Sequence, residues 1–238
     1  MGQKIYETDS YVKEFDARVE ALDSEGWYIL DRTAFYPGGG GQPNDRGMIR
    51  VGSGDLEVVE VKKNSEGEVV HRVSGGVLEL GAEIHCLLDW QLRYSYMRYH
   101  SAVHVVSGAA LKLFGAKITG GQIYPDHARV DLNIEGFDRP KATALEEESN
   151  RVVESSYDIK VRFVPREEAI KNPNLVRVDP SHYPDTQIFR VIEIEGYDSQ
   201  FDGGTHVAKT SEVGRITFSK LENKGKNNKR IELVLPSN

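Results

Sequence analysis

The sequence predicts an α+β protein in two parts. A small antiparallel β-barrel is expected over residues 1–90, followed by an α+β domain over residues 91–238 that combines an antiparallel sheet with helices. Two patterns lead to this prediction. The first part alternates apolar and polar residues over short segments separated by Gly- and Ser-containing turns, which is typical of antiparallel strands. The second part opens with a long, Gly-poor apolar segment and then interleaves strands with shorter helices.

Six short strands are predicted in the first part, and their spacing favours a small barrel. They are Ala17–Leu22, Trp27–Asp31, Gly47–Val51, Leu56–Lys62, Glu68–Val73 and Glu83–Leu88. The longest insert between them, residues 37–47, carries four consecutive glycines. Phe35 and Tyr36 before it and Asp45 near its end predict an ordered loop, because Asp can cap a turn and aromatic side chains can anchor one. Its glycines allow the backbone to approach another surface closely.

The second part begins with a predicted helix, Leu92–Phe114, that ends at Gly115. Its apolar stripe is expected to be core and consists of Leu92, Tyr96, Tyr99, Val103, Val106, Ala110 and Leu113. An acidic helix, Arg139–Tyr157, is expected to begin at an Asp138 cap and to turn Glu146–Glu148 towards water. The remaining predicted elements are strands Ile118–Tyr124, Ala128–Ile134, Asp158–Pro165, Ile188–Glu195, Val207–Lys209, Gly214–Leu221 and Ile231–Leu235, a short helix Arg166–Lys171 and a loop Asn172–Pro184.

Composition limits the classes of function. The net charge of −7 argues against a protein held to nucleic acid mainly by charge. A local basic segment, Lys220–Arg230, is equally consistent with a nucleic-acid contact and with a solvated hairpin tip. No apolar run is long enough for a membrane span and no apolar signal core opens the chain, so a cytoplasmic address is expected. The single cysteine, Cys86, excludes an internal disulfide and is expected to be buried and inert.

Two short motifs carry candidate metal ligands. His100 and His104 stand four residues apart in the predicted helix, a spacing that puts both imidazoles on one face. Asp202 and His206 flank Gly203-Gly204-Thr205, where a tight loop is favoured. A set of three histidines and one aspartate suits Zn²⁺, although a chance histidine pair and a plain glycine turn are the simpler explanations of each motif alone. The usual zinc-protease motif is excluded because Ser101 stands where its glutamate belongs.

Three motifs together resemble the alanyl-tRNA editing family, which comprises the free-standing AlaX proteins and the editing domain of alanyl-tRNA synthetase. They are Phe35-Tyr36-Pro37-Gly38-Gly39-Gly40-Gly41-Gln42-Pro43, His100-Ser101-Ala102-Val103-His104 and Gly203-Gly204-Thr205-His206-Val207. The resemblance implies a trans-editing hydrolase that removes serine, and in many members glycine, from mischarged alanine tRNA. It also implies one Zn²⁺ per chain on His100, His104, Asp202 and His206, and binding of the acceptor end of the tRNA.

The same resemblance places Gly40, Gly41 and Gln42 in contact with the substrate end. A polar strand residue facing the metal should read the hydroxyl of serine, and Thr119 and Gln122 are the candidates. His100, His104, Gln42 and Thr119 are therefore the expected catalytic set. Many relatives carry Cys where this chain has Asp202. Asp202 is expected either to ligate the metal or to orient an imidazole, and the retained spacing to His206 favours ligation.

The sequence is also compatible with two other functions. One is a zinc hydrolase acting on another ester or amide, and the other is a non-catalytic, zinc-stapled tRNA-binding module. The synthetase itself is excluded by length, so the expected activity is independent of ATP, and no obligate protein partner is indicated. The remaining histidines are expected to be structural or on the surface, and they are His71, His85, His127 and His182.

Overall fold

The computed structural model describes residues 2–52, 54–172, 175, 186–225 and 228–237. The chain divides into two compact units, Met1–Met97 and Arg98–Asn238. The division falls inside the long helix α1, Trp90–Phe114, which follows the last strand of the first unit. The domain bounds expected from the sequence, 1–90 and 91–238, stay a prediction. His182 and most of the expected loop Asn172–Pro184 lie outside the described residues.

The first unit contains a closed antiparallel barrel, as predicted. Its strands are β2 (Glu14–Leu22), β3 (Tyr28–Leu30), β5 (Gly47–Val51), β6 (Gly54–Lys63), β7 (Val69–Ser74) and β8 (Glu83–Leu88), and they pair in the order β2-β3-β7-β6-β5-β8. All six strands expected from the sequence are therefore confirmed. A short parallel pair, β1 (Gln3–Lys4) and β4 (Arg32–Thr33), is additional. These two strands are too short for alternation to reveal them.

The barrel interior follows from the period-2 alternation of its strands. Inward-facing positions such as Phe15, Val19 and Ile49 are buried, and their neighbours along each strand face outward. Cys86 is fully buried, as predicted, and this burial raises the pKa of its thiol to about 12. His71 is also fully buried and is structural, since its Nε2 lies 2.9 Å from Thr33 Oγ1.

The second unit contains two antiparallel sheets. Strands β9 (Ile118–Ile123), β10 (Ala128–Leu132), β14 (Thr217–Asn223) and β15 (Lys229–Val234) form a sheet in the order β14-β15-β10-β9. Strands β11 (Ile159–Pro165), β12 (Ile188–Ile194) and β13 (Asp198–Phe201) form the other. The predicted α+β class with antiparallel strands is confirmed, but the strands divide between two sheets where the sequence predicts a single one. The expected strand Val207–Lys209 is wrong, because only Lys209 of these residues pairs, in an isolated bridge with Asp158. Strand β13 is not among the strands predicted from the sequence.

Helix α1 is buried around most of its circumference. Nearly every residue from Tyr96 to Ala110 is buried, whereas Leu113 of the expected stripe is exposed and Leu92 and Val103 are only half-buried. A helix surrounded by protein has no polar face, so its periodicity does not reveal which side is core. Its expected end is confirmed, since Gly115 has φ 63° and the Ala116 N–H bonds to the Ala110 carbonyl across it.

Helix α2, Arg139–Glu154, begins as predicted with the Asp138 carboxylate accepting from the Lys141 N–H at 3.0 Å. The expectation that Glu146–Glu148 face water is correct only for Glu147. Glu146 Oε2 accepts the Phe218 N–H at 2.7 Å, on strand β14. The short helix α3 spans Arg166–Ala169. Among the described residues, no helix is both long and apolar enough to cross a membrane.

Candidate metal centre

Helix α1 presents two imidazoles to one site. His100 and His104 are one turn apart, and their ring centroids lie 5.2 Å from each other. Both side chains are buried because the helix is covered at this level. The predicted pairing on one helix face is therefore present.

The Asp202–His206 segment approaches this face directly after strand β13. It has no regular secondary structure, and local hydrogen bonds fix its path. Arg190 Nη1 donates to the Asp202 carbonyl at 2.8 Å, and the Gly204 N–H donates to Asp202 Oδ1 at 2.6 Å. The His206 ring lies 4.3 Å from the ring of His100 and 4.7 Å from that of His104, centroid to centroid.

The four side chains converge on one point. Asp202 Oδ2 lies 3.3 Å from His100 Nε2 and 3.8 Å from His104 Nε2, and Asp202 Oδ1 lies 3.7 Å from His206 Nε2. All four donor atoms lie within 4.8 Å of one another. Ligands at about 2.0–2.2 Å from a tetrahedral ion are themselves separated by roughly 3.3–3.6 Å. The spacing and the nitrogen and oxygen donors therefore fit a bound metal ion.

The cluster is largely excluded from solvent, and the pKa values of its Asp202 and His206 side chains are shifted. Exposed fractions are 2% for His100, 5% for His104 and His206, and 14% for the Asp202 side chain. Burial alone would raise the pKa of Asp202, but the charge and hydrogen bonds of His100 and the hydrogen bond of His104 hold that pKa well below its usual value. Burial, followed by the charges of His100 and His104, lowers the pKa of His206 well below its usual value. The site thus combines a carboxylate with a neutral imidazole, the protonation states in which these groups ligate metals.

The glycine-rich loop of the first unit is ordered, as expected. The Gly39 and Gln42 backbones exchange hydrogen bonds at 2.9–3.0 Å, and Gly40 and Gly41 between them have φ of 59° and 85°. Positive φ at both central residues is the pattern of a type I′ turn, which explains why glycine is needed there. Gly40 is exposed and Gln42 is only 2% exposed. Their contact with the substrate stays a prediction.

The two candidate specificity residues lie on strand β9. Thr119 is exposed at an irregularity of the β9–β10 pairing, and its Oγ1 donates to Asn228 Oδ1 at 3.1 Å. Gln122 is half-buried opposite Arg129 of β10. Their role in reading the substrate also stays a prediction.

Much of the charge in the basic segment is paired. Lys220 and Lys224 both contact Glu222, at 2.5 Å and 2.7 Å, and Arg230 forms a two-pronged bond with Asp131 at 2.7–2.8 Å. Lys229 Nζ bonds to Asn223 and to the Gly225 carbonyl. Exposed pairs of this kind are weak, so Lys220 and Lys224 remain able to meet a phosphate.

Two residues that support the cluster were not identified from the sequence. Arg190 holds the Asp202 backbone, and Ser101 Oγ accepts the Val207 N–H at 3.2 Å. Arg190 belongs to no local motif, and Ser101 stands inside the His100–His104 motif without a predicted partner, because each acts through a residue in another part of the chain. Position alone, beside His100, could have drawn attention to Ser101.

Comparison with known proteins gives matches over both units. Residues 4–92 match the family of class II (A) tRNA synthetases, and residues 189–232 match the second additional domain of threonyl and alanyl tRNA synthetases. The chain is 42% identical to the alanyl-tRNA editing protein AlaX-M of Saccharolobus solfataricus, over 97% of this chain and 98% of that protein. It is 37% identical to the AlaX-M protein of Methanosarcina acetivorans, over 99% of each. It is also 33% identical to the alanine–tRNA ligase of Pyrococcus abyssi, over 92% of this chain and only 24% of the ligase.

Proposed function

Because this chain belongs to the alanyl-tRNA editing protein family, we propose that it hydrolyses the ester bond of mischarged alanine tRNA as a free-standing enzyme. Serine is the amino acid that we expect it to remove first, and glycine is the second candidate. The observation that carries the proposal is the buried cluster of three imidazoles and one carboxylate, in a chain similar to editing proteins over nearly its full length.

The proposed cofactor is one Zn²⁺ per chain, held by His100, His104, Asp202 and His206. Nitrogen and oxygen donors at this spacing suit zinc, and direct ligation by Asp202 is supported by its carboxylate oxygens lying 3.3–3.8 Å from the three imidazole nitrogens. A bound zinc ion supplies a Lewis acid that either polarises an oxygen or lowers the pKa of a water molecule.

The protein's own residues prepare the site for this chemistry. The low pKa of His206, caused by burial and then by the neighbouring imidazoles, keeps its ring unprotonated. The low pKa of Asp202 keeps a negative charge beside the three rings. Because the cluster is nearly excluded from solvent, charge interactions there are stronger than at the surface.

Recognition of the substrate is assigned to two other parts of the chain. The backbone of the exposed Gly40 and the half-buried Gly41, with the amide of the buried Gln42, is proposed to contact the terminal nucleotide. Thr119 is proposed to read the hydroxyl of serine, since its oxygen can still accept a hydrogen bond while it donates to Asn228. A hydrogen bond between Thr119 and the substrate hydroxyl would favour the seryl ester over the alanyl ester. Correctly charged alanine tRNA would therefore be spared.

The proposed partner is the acceptor end of the tRNA. With a net charge of −7, binding should depend on few phosphate contacts and therefore weakly on salt. Lys220 and Lys224 are candidates for such contacts. We also propose a cytoplasmic location for the protein, because its proposed substrate is aminoacylated tRNA.

The test is a deacylation assay with alanine tRNA charged with serine, glycine or alanine. We expect serine to be released and alanine to be retained. His104→Gln should abolish release together with zinc binding, because it removes one ligand. His85→Gln is the matched control, since His85 lies on the barrel and bonds to the exposed Asp16 at 2.7 Å.

Three outcomes would contradict the proposal. They are equal hydrolysis of seryl and alanyl esters, no hydrolysis by the zinc-loaded protein, and full zinc content in His104→Gln. Cleavage of small esters without cleavage of charged tRNA would instead indicate a hydrolase of another substrate.

A further inference from the structure

A buried hydrogen bond from the backbone of one ligand-bearing segment to a side chain of the other lies beside the metal ligands. Ser101 Oγ, on helix α1, accepts the backbone N–H of Val207 at 3.2 Å. The two residues are 106 positions apart in the chain, and both are almost fully buried.

This bond is not the usual one for a serine inside a helix. Such a hydroxyl commonly bonds to the carbonyl four residues earlier in its own helix. Ser149 in helix α2 does so, donating to the Leu145 carbonyl at 2.7 Å. Ser101 instead offers its oxygen to another part of the fold.

The positions of both partners tie the bond to the metal cluster. Ser101 directly follows His100, and Val207 directly follows His206. On a helix, residues 100, 101 and 104 lie within about 100° of arc, so the loop that meets Ser101 also meets the two histidines. The bond therefore connects the residue after His206 to the residue after His100.

We propose that Ser101 is a positioning residue for the metal centre, acting through the Val207 backbone on the placement of His206. The inference rests on the metal site of the proposed function and is independent of the tRNA substrate. Metal–ligand bonds tolerate errors of only about 0.2 Å. The Asp202–His206 segment has no regular secondary structure to hold it, so it depends on such side-chain bonds.

The role also accounts for the residue type. Alanine would remove the acceptor and leave the Val207 N–H buried without it. Threonine retains the hydroxyl and adds one methyl group. A side chain that offers an acceptor to the Val207 N–H is therefore what the structure requires beside His100.

The experiment measures the zinc affinity of the full-length protein against a competing chelator, in the absence of tRNA. We expect Ser101→Ala to bind zinc about 10- to 100-fold more weakly, the range for residues that orient metal ligands. Ser101→Thr should bind close to the wild-type affinity. Ser149→Ala is the matched control, because it removes an equally buried helical hydroxyl whose bond lies within its own helix, and its zinc affinity should not change.

A spectrum with Co²⁺ as the only added metal separates positioning from general stability. Ser101→Ala should shift the absorption bands of bound Co²⁺, which report the arrangement of the ligands, whereas Ser149→Ala should not. A lower melting temperature with unchanged zinc affinity and unchanged Co²⁺ bands would show that Ser101 only stabilises the fold, and would overturn the inference. Absence of zinc binding in the wild-type protein would overturn it as well. The proposed function is judged separately by deacylation of charged tRNA.

Discussion

The ion pair between Arg93 and Asp45 should be the most costly interaction to break in the first unit. The two side chains are 0% and 1% exposed. Arg93 Nε lies 2.9 Å from both carboxylate oxygens, and the guanidinium also donates to the carbonyls of Ser10 and Ala34. Asp45 in turn accepts the Tyr36 N–H at 2.6 Å. The pair thus closes the base of the glycine-rich loop.

The substitution Arg93→Met keeps much of the side-chain volume and removes the charge. It leaves Asp45 buried without its counter-ion, which typically costs about 3–5 kcal/mol. For a chain of this size, each kcal/mol corresponds to roughly 2–4 °C of melting temperature. The variant should therefore melt roughly 6–20 °C below the wild-type protein.

A double-mutant cycle tests the cause of the loss. Arg93→Met combined with Asp45→Asn should regain part of the stability, because the uncompensated charge is gone. Arg50→Met is the matched control, since Arg50 pairs with Asp55 on the exposed surface of the same barrel and should cost less than about 1 kcal/mol. Urea unfolding provides the free energies. A loss below about 1 kcal/mol for Arg93→Met, or simple additivity in the double variant, would refute the reasoning.

Three further predictions concern the metal, the loop and pH. Asp202→Ala should weaken zinc binding by more than the roughly 10- to 100-fold that is typical of a residue outside the ligand set. Asp202→Cys should strengthen zinc binding, because a thiolate is also a zinc ligand. If a chelator titration gives the alanine variant the same zinc affinity as wild type, Asp202 is not a ligand. Gln42→Ala should lower the rate of seryl-tRNA deacylation and leave the zinc content unchanged, and loss of metal would contradict a role in substrate contact alone. Burial lowers the pKa of His71 from 6.5 to about 4. The unfolded chain therefore binds a proton at higher pH than the folded one, and up to about 3 kcal/mol of stability present above pH 6.5 should be lost as the pH falls to 4. The urea midpoint of the wild-type protein should fall between pH 7 and pH 5 by more than that of His71→Gln, because only the wild-type protein has this histidine to protonate.

Local patterns in the sequence were sufficient for much of the fold. The six barrel strands, the Asp138 cap and the Gly115 end of α1 were predicted because each depends on residues close together in the chain. The four candidate ligands were also identified, since helical spacing pairs His100 with His104 and a short motif contains Asp202 and His206. Candidate ligands that stand close together in the chain can be predicted from the sequence alone.

Long-range contacts decided the rest. The sequence could not show that the strands of the second unit divide into two sheets, or that α1 is buried on nearly all sides. Glu146 is predicted to face water, yet it accepts the Phe218 N–H, and nothing near Ser101 in the sequence predicts that its Oγ accepts the Val207 N–H. The Glu146 and Ser101 contacts involve partners that are 72 and 106 residues away in the chain. Residue type and periodicity specify what a side chain can bond to, and only the folded chain determines which partner comes within reach.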